Sequence, residues 1–144
     1  MPHRNPSDQE LRDLLTKTRI IAMIGASSNP EKPSHGIMQR LQEVGYRVIP
    51  INPRETEVLG ERAFASLSDF GEPIDVVDVF RRPEDTPAIA DEAVKVGAKA
   101  LWLQTGIVSE EAAARVEAGG LLAVMDACIA ATHSLLRVPP KVRG

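Results

Sequence analysis

Ile20-Ile21-Ala22-Met23-Ile24-Gly25-Ala26-Ser27-Ser28-Asn29-Pro30-Glu31-Lys32-Pro33-Ser34-His35-Gly36 is the stretch that decides the fold of this chain. Its first residues form a short apolar run, which predicts a buried strand. The run breaks into Gly, Ser, Asn and Pro, then reopens as a helix at about Ser34, an N-cap type preceded by Pro33. A strand feeding a small-residue loop and a helix N-terminus is the physical recipe for an anion site. Loop N–H groups and the positive end of the helix dipole meet at one spot, and small residues let a phosphate approach the backbone. The loop is therefore expected to hold the pyrophosphate of a nucleotide-like cofactor, with Gly25, Ala26, Ser27, Ser28, Lys32, Ser34, His35 and Gly36 as candidate contacts.

The pattern continues outward on both sides. Residues 1–6 are expected to be a loose tail, followed by a capping box of Ser7 and Glu10 and a helix with Leu11, Leu14 and Leu15 on one face, ending near Thr18. Beyond the loop, Ile37, Met38, Leu41 and Val44 have helical spacing and Gly45 is the stop. Tyr46–Ile51 predicts a second strand, weakened by Pro50, which cannot donate to a ladder. Residues 55–73 are less regular, with turns at Gly60 and Gly71 and one helical turn between Phe64 and Phe70. Ile74–Phe80 and Ala98–Leu103 predict the third and fourth strands, separated by a helix that opens at Pro83 or Thr86 and stops at Gly97. A Ser109-capped helix with Glu110 and Glu111 in its first turn, a fifth strand at Leu121–Met125 and a closing helix at 129–136 complete the chain. Strands alternating with helices imply parallel pairing and crossovers on both faces. The expected architecture is an α/β doubly wound parallel five-stranded sheet in one domain spanning residues 1–144.

Composition narrows the function classes. The 144 residues are 43% hydrophobic and 26% charged, ordinary for a globular domain. A net charge of -3 argues against a coat for nucleic acid or for an acidic membrane. Cys128 is the single cysteine, so no intrachain disulfide framework or multi-cysteine metal site is expected, and the three histidines lack ligand spacing. The N-terminus lacks the apolar core of a signal peptide, and no apolar run approaches the ~20 residues of a membrane span, so the cytoplasm is the expected location.

Ligands on doubly wound sheets bind at the carboxyl ends of the strands. At the first end, a dinucleotide fingerprint requires glycine where this chain has Gly25, Ser27 and Pro30, so the fingerprint fails. At the second, Asn52-Pro53-Arg54 offers a guanidinium where NAD-binding folds place a carboxylate on the ribose diol. Arginine there suits a ribose with an extra phosphate, as in NADP or coenzyme A. At the third, Phe80 suits an adenine ring, and one of Arg81 and Arg82 suits a phosphate. At the fourth, Gln104-Thr105-Gly106 is a polar loop along which a ligand chain can pass, while Trp102 reads as core or interface. At the fifth, Cys128 and His133 are set too far round a helix to stack as nucleophile and base, and no catalytic residue is assigned. Glu84-Asp85 and Glu110-Glu111 read as helix-start charges.

Several of these segments carry a family resemblance. Gly25-Ala26-Ser27, Val48-Ile49-Pro50-Ile51-Asn52-Pro53, Asp75 through Pro83, Leu101-Trp102-Leu103-Gln104-Thr105-Gly106 and Val124-Met125-Asp126-Ala127-Cys128 resemble the small stand-alone CoA-binding proteins, in the same order over about residues 10 to 137. These are similar to the CoA-binding domain of the succinyl-CoA synthetase alpha subunit. The resemblance implies a Rossmann-like fold with coenzyme A, or an acyl-CoA, across the strand ends. It places the Gly25–Ser28 loop at the pyrophosphate, Arg54 at a basic contact and Gln104-Thr105-Gly106 at a further contact loop. The chain departs from the family at Ala127 and Ala130, where basic residues are common. The synthetases add a phosphohistidine domain and a nucleotide-grasp partner, for which this chain has no room, so a binding module without chemistry of its own is expected. The competing readings are an NADP-dependent oxidoreductase and a regulatory or scaffold subunit with an empty pocket. Neither nucleic acid nor membrane is an expected partner, and no protein partner is identified.

Overall fold

A computed structural model describes residues 2–141 and lays five parallel strands into one sheet. These are β1 (Ile20–Ile24), β2 (Arg47–Ile51), β5 (Val76–Val79), β6 (Ala100–Leu103) and β7 (Leu122–Val124). Between β2 and β5 the chain makes a small antiparallel hairpin, β3 (Glu57–Val58) and β4 (Glu61–Arg62). The helices are α1 (Asp8–Lys17), α2 (Pro33–Glu43), α3 (Leu67–Phe70), α4 (Thr86–Lys95), α5 (Glu110–Ala118) and α6 (Ile129–Leu135). Across the sheet the order is β2-β1-β5-β6-β7. The chain thus starts inside the sheet, steps outward to β2, then returns past β1 and continues to β7. Right-handed crossovers in opposite directions send their helices to opposite faces. Leu15 of α1, Met38 and Leu41 of α2 and Ile129 of α6 pack with Met23, Val48 and Trp102 on one face. Phe70 of α3, Ala90 and Ala93 of α4 and Val116 of α5 pack with Ala22, Ile49, Val77 and Leu101 on the other. Each strand supplies both cores through its two-residue alternation, which explains why the strands read as near-continuous apolar runs, Asp78 of β5 being the buried exception. This is the expected doubly wound, Rossmann-like arrangement.

Local chemistry explains most boundaries. The Ser7–Glu10 capping box forms at the start of α1, and Gly45, at φ +103, ends the turn after α2. Pro50 is compatible with a strand because β2 is an edge. The Pro50 carbonyl accepts from the Phe64 N–H at 3.0 Å on the outer side, the side its own missing N–H would face. Three expectations change. Helix α2 begins two residues earlier: Lys32, not Ser34, is the N-cap, Pro33 occupies the first turn with its preset φ, and Ser34 lies inside the helix, buried. The 55–73 stretch holds a hairpin as well as the turn of α3, with Leu59 (φ 48) and Gly60 (φ 83) making its two-residue loop. The leading segment has no regular structure, yet it is anchored: the Asn5 amide accepts from Met125 N and donates to Met125 O, each at 2.9 Å.

Two carboxylates in the third strand region behave oppositely. Asp75 accepts from the Arg19 and Ile20 N–H groups at 2.9 and 3.0 Å and pins the start of β1. Asp78, paired in register with Met23 and Trp102, is fully buried, and no other side chain pairs with its oxygens. Burial pushes its pKa well above the ordinary carboxylate range.

Candidate functional site: a cleft at the strand ends

A cleft of about 630 Å³ opens at the carboxyl ends of the strands, in the size range of cofactor sites. Its walls are Gly25 and Ser27 after β1, Lys32-Pro33-Ser34 at the start of α2, Asn52 after β2, Phe80 to Pro83 with Asp85 after β5, and Ile107 after β6. The centre lies between β1 and β5, where the strand order reverses and neighbouring loops diverge to opposite faces.

The β1 loop is built as a bracket against its neighbours. Gly25 adopts φ +88, and a Cβ there would lie 2.4 Å from the Phe80 carbonyl oxygen. Glycine is thus required by the close approach of the β5 end. Gly25 N–H donates to Ile51 O at 3.0 Å, and the Asn52 side-chain amide donates to Ala26 O at 2.9 Å while its oxygen accepts from Arg54 N at 3.0 Å. Ser28 donates its N–H and its hydroxyl to the Glu55 carboxylate, at 2.7 and 2.8 Å. The first turn of α2, by contrast, has no side-chain cap and borders the cleft, leaving the positive end of its dipole toward that space.

The β5 end contributes the charge. Phe80 is half-buried, packing against the α2-side core while lining the cleft. Arg81 and Arg82 both line it and both pair with Asp85, at 3.6 and 3.5 Å. The 3₁₀ turn Pro83–Asp85 brings this carboxylate back, since residues three and four apart meet on a helical surface.

Several candidates fall outside the cleft. Gln104 is buried, and its Oε1 accepts from Ile129 N at 3.0 Å, capping α6. Thr105 and Gly106 are exposed, and Gly106 N–H donates to Asp126 Oδ1 at 2.7 Å. Ile107 takes the place at the cleft expected of that loop. Ala26 is fully buried and Ser28 faces Glu55, and neither is among the lining residues; His35 and Gly36, past the first residues of α2, are not either. Pro53 lines a smaller neighbouring groove of about 310 Å³, which shares Arg81 and Asp85 with the cleft, and Arg54 is exposed outside both. Trp102 is core, its indole N–H donating to Ala127 O at 2.8 Å. Two residues that sequence reading missed are Glu55 and Asp85. The spacing of Asp85 to Arg81 and Arg82 was a usable signal; Glu55 lies just past the point where a carboxylate was sought. Among the described residues no group of three or more His, Cys, Asp or Glu forms a metal site, and no helix is long and apolar enough to cross a membrane.

A parallel sheet with a ligand-sized cleft at its reversal point, bordered by an uncapped helix and two arginines, defines a nucleotide-cofactor binding fold of Rossmann type. Residues 19–134 match the family described as CoA binding domain, and the chain belongs to that family. It is 38% identical over 134 residues to an uncharacterized protein of Bacillus subtilis, YneT, covering 93% of this chain and 99% of the relative. A hypothetical protein from Pyrococcus horikoshii has the same fold, with a TM-score of 0.89 and 35% identity over 95% of this chain and 99% of that one. The chain is also 29% identical over 103 residues to an acetate–CoA ligase (ADP-forming) of Methanocaldococcus jannaschii, matching 72% of this chain but 14% of the ligase.

Proposed function

We propose that this protein binds coenzyme A or an acyl-CoA across the cleft and performs no covalent chemistry of its own. The observation carrying this reading is the meeting of Lys32, Arg81 and Arg82 with the uncapped start of α2 in one cleft. In this reading the pyrophosphate lies against Ser27, Lys32 and the first turn of α2, with the guanidiniums alongside. Phe80 offers its exposed edge to the adenine, and Arg54, at the rim, meets the 3′-phosphate. Asn52 and Gly25 act mainly by fixing the loop. The matched segment is a small part of the ligase, consistent with a binding module separated from catalytic domains.

The nicotinamide alternative gains no support. Tyr46, the single tyrosine, is buried with its hydroxyl donating to Leu15 O at 2.6 Å, and burial pushes its phenol pKa up. It is no proton donor for a cleft substrate.

Titration calorimetry with CoA, dephospho-CoA, NADPH and NADH tests the proposal. Binding of CoA in the micromolar range or tighter, weaker dephospho-CoA and no nicotinamide binding is the expected outcome. Preference for NADPH would overturn the ligand assignment, and silence with all four would favour a scaffold role. Arg54→Ala should weaken CoA by about 1.5–3 kcal/mol while leaving dephospho-CoA nearly unchanged. Equal losses would remove Arg54 from the 3′-phosphate.

A further inference from the structure

We propose that Glu55 and Asp85 are internal stand-ins for ligand phosphate, and that an anionic ligand enters by displacing them. The inference rests on the coenzyme A reading above. The two arginines of the cleft, and the Ser28 donors of the adjoining β1 loop, are already engaged by carboxylates of the chain itself. Asp85 sits 3.6 Å from Arg81 and 3.5 Å from Arg82 inside the cleft wall. Glu55 takes the Ser28 N–H at 2.7 Å and the Ser28 hydroxyl at 2.8 and 3.0 Å. These are the loop that the sequence assigns to phosphate and the two guanidiniums of which it assigns one.

The two contacts differ in how readily they yield. The arginine side chains are 48% and 74% exposed, so their pairing with Asp85 is well hydrated and weak. A phosphate presents several oxygens to a planar guanidinium and competes effectively for it. Glu55 is half-buried and holds Ser28 through two donors, so it keeps the loop closed until a second anionic group takes its place. Asp85 therefore sets how much of the arginine charge an incoming ligand meets, and Glu55 sets whether the loop donors are free.

The test uses the full chain, native and as Asp85→Asn and Glu55→Gln, titrated with CoA and with inorganic pyrophosphate, plus a thermal melt without ligand. Asp85→Asn should tighten CoA by about 3- to 10-fold, since two weak pairs are removed. Glu55→Gln, which keeps an acceptor for Ser28, should also tighten it. Neither melt should rise. Affinity increasing while stability holds or falls is the signature of displacement, because a purely structural carboxylate would lower both. Unchanged or weaker binding by Asp85→Asn overturns the proposal, as does weaker CoA binding by Glu55→Gln with an unchanged melt, which would place Glu55 directly on the ligand. If no form binds CoA but Asp85→Asn gains pyrophosphate, the displacement stands and the coenzyme A reading falls. If no form binds either anion, both fall.

Discussion

The strand ends of this sheet divide into an open half and a shut half. After β1, β2 and β5 the loops part around the cleft and present Ser27, Lys32, Phe80, Arg81 and Arg82 to it. After β6 and β7 the equivalent polar groups are spent on the chain itself: Gln104 caps α6, Asp126 holds Gly106 and Ala127 holds Trp102. Polar residues occur at both sets of ends, so polarity at a strand end does not by itself make a site. What separates the halves is whether a side chain caps the nearby helix N-terminus. Gln104 does so for α6 in the shut half, whereas no side chain caps α2.

That contrast can be broken or sharpened by substitution. The largest effect should come from Gly25→Ala, where a positive φ and a 2.4 Å approach to Phe80 O act together. About 3–5 kcal/mol of stability should be lost, read from chemical denaturation. Gly106→Ala has a similar φ of +85 but open space around it, and should cost only about 1–2 kcal/mol. Equal losses would mean that the open half is not tightly bracketed.

Asp78, on β5 where the open half borders the shut one, gives the next effect. Its folded pKa is raised by burial, so between the ordinary carboxylate range and that raised value the unfolded state releases a proton that the folded state must keep. Stability should therefore fall as pH rises through this window and be highest at its acidic end. Asp78→Asn cannot ionise and should flatten that slope in pH-dependent denaturation. An unchanged slope would show that another group causes it.

Gln104→Ala should cost about 1 kcal/mol of stability through the lost α6 cap, with the CoA dissociation constant unchanged. A large affinity loss would return Gln104 to the site. The smallest effect belongs to Gly36→Ala. Nothing lies within 4 Å of a Cβ there, so the helix should gain about 0.5–1 kcal/mol. Weaker CoA binding by the same variant would show that ligand passes over that turn.

Most of the fold was legible because it depends on local signals: the Ser7–Glu10 box, glycine stops, and apolar runs that can be buried on both faces. The hairpin at residues 57–62 was not, since two-residue strands leave almost no periodicity and Leu59 is an unusual residue for a positive φ. The cleft was legible as strand ends but only partly as residues. Lys32, Ser34, Phe80, Arg81 and Arg82 meet there, as their loops suggested. Gln104 lies outside the cleft because its partner, Ile129 N, is 25 positions away and invisible to local reading, and the bond from Asn52, a cleft wall, to Ala26 O spans 26. Glu55 escaped for the same reason: its partner Ser28 lies 27 positions earlier.

Each margin of the sheet is interrupted at one point. On β2, Pro50 withholds a donor and Phe64 occupies its carbonyl; beside β7, the Asn5 amide takes the outward N–H and C=O of Met125 as a neighbouring strand would. A bare sheet edge is a template on which a second chain can zip, the first step toward aggregates. Here one proline and one asparagine side chain interrupt that template at opposite ends of the sheet. Asn5 thus sits where a further strand would continue past β7, and trimming the leading residues should free the backbone of Met125.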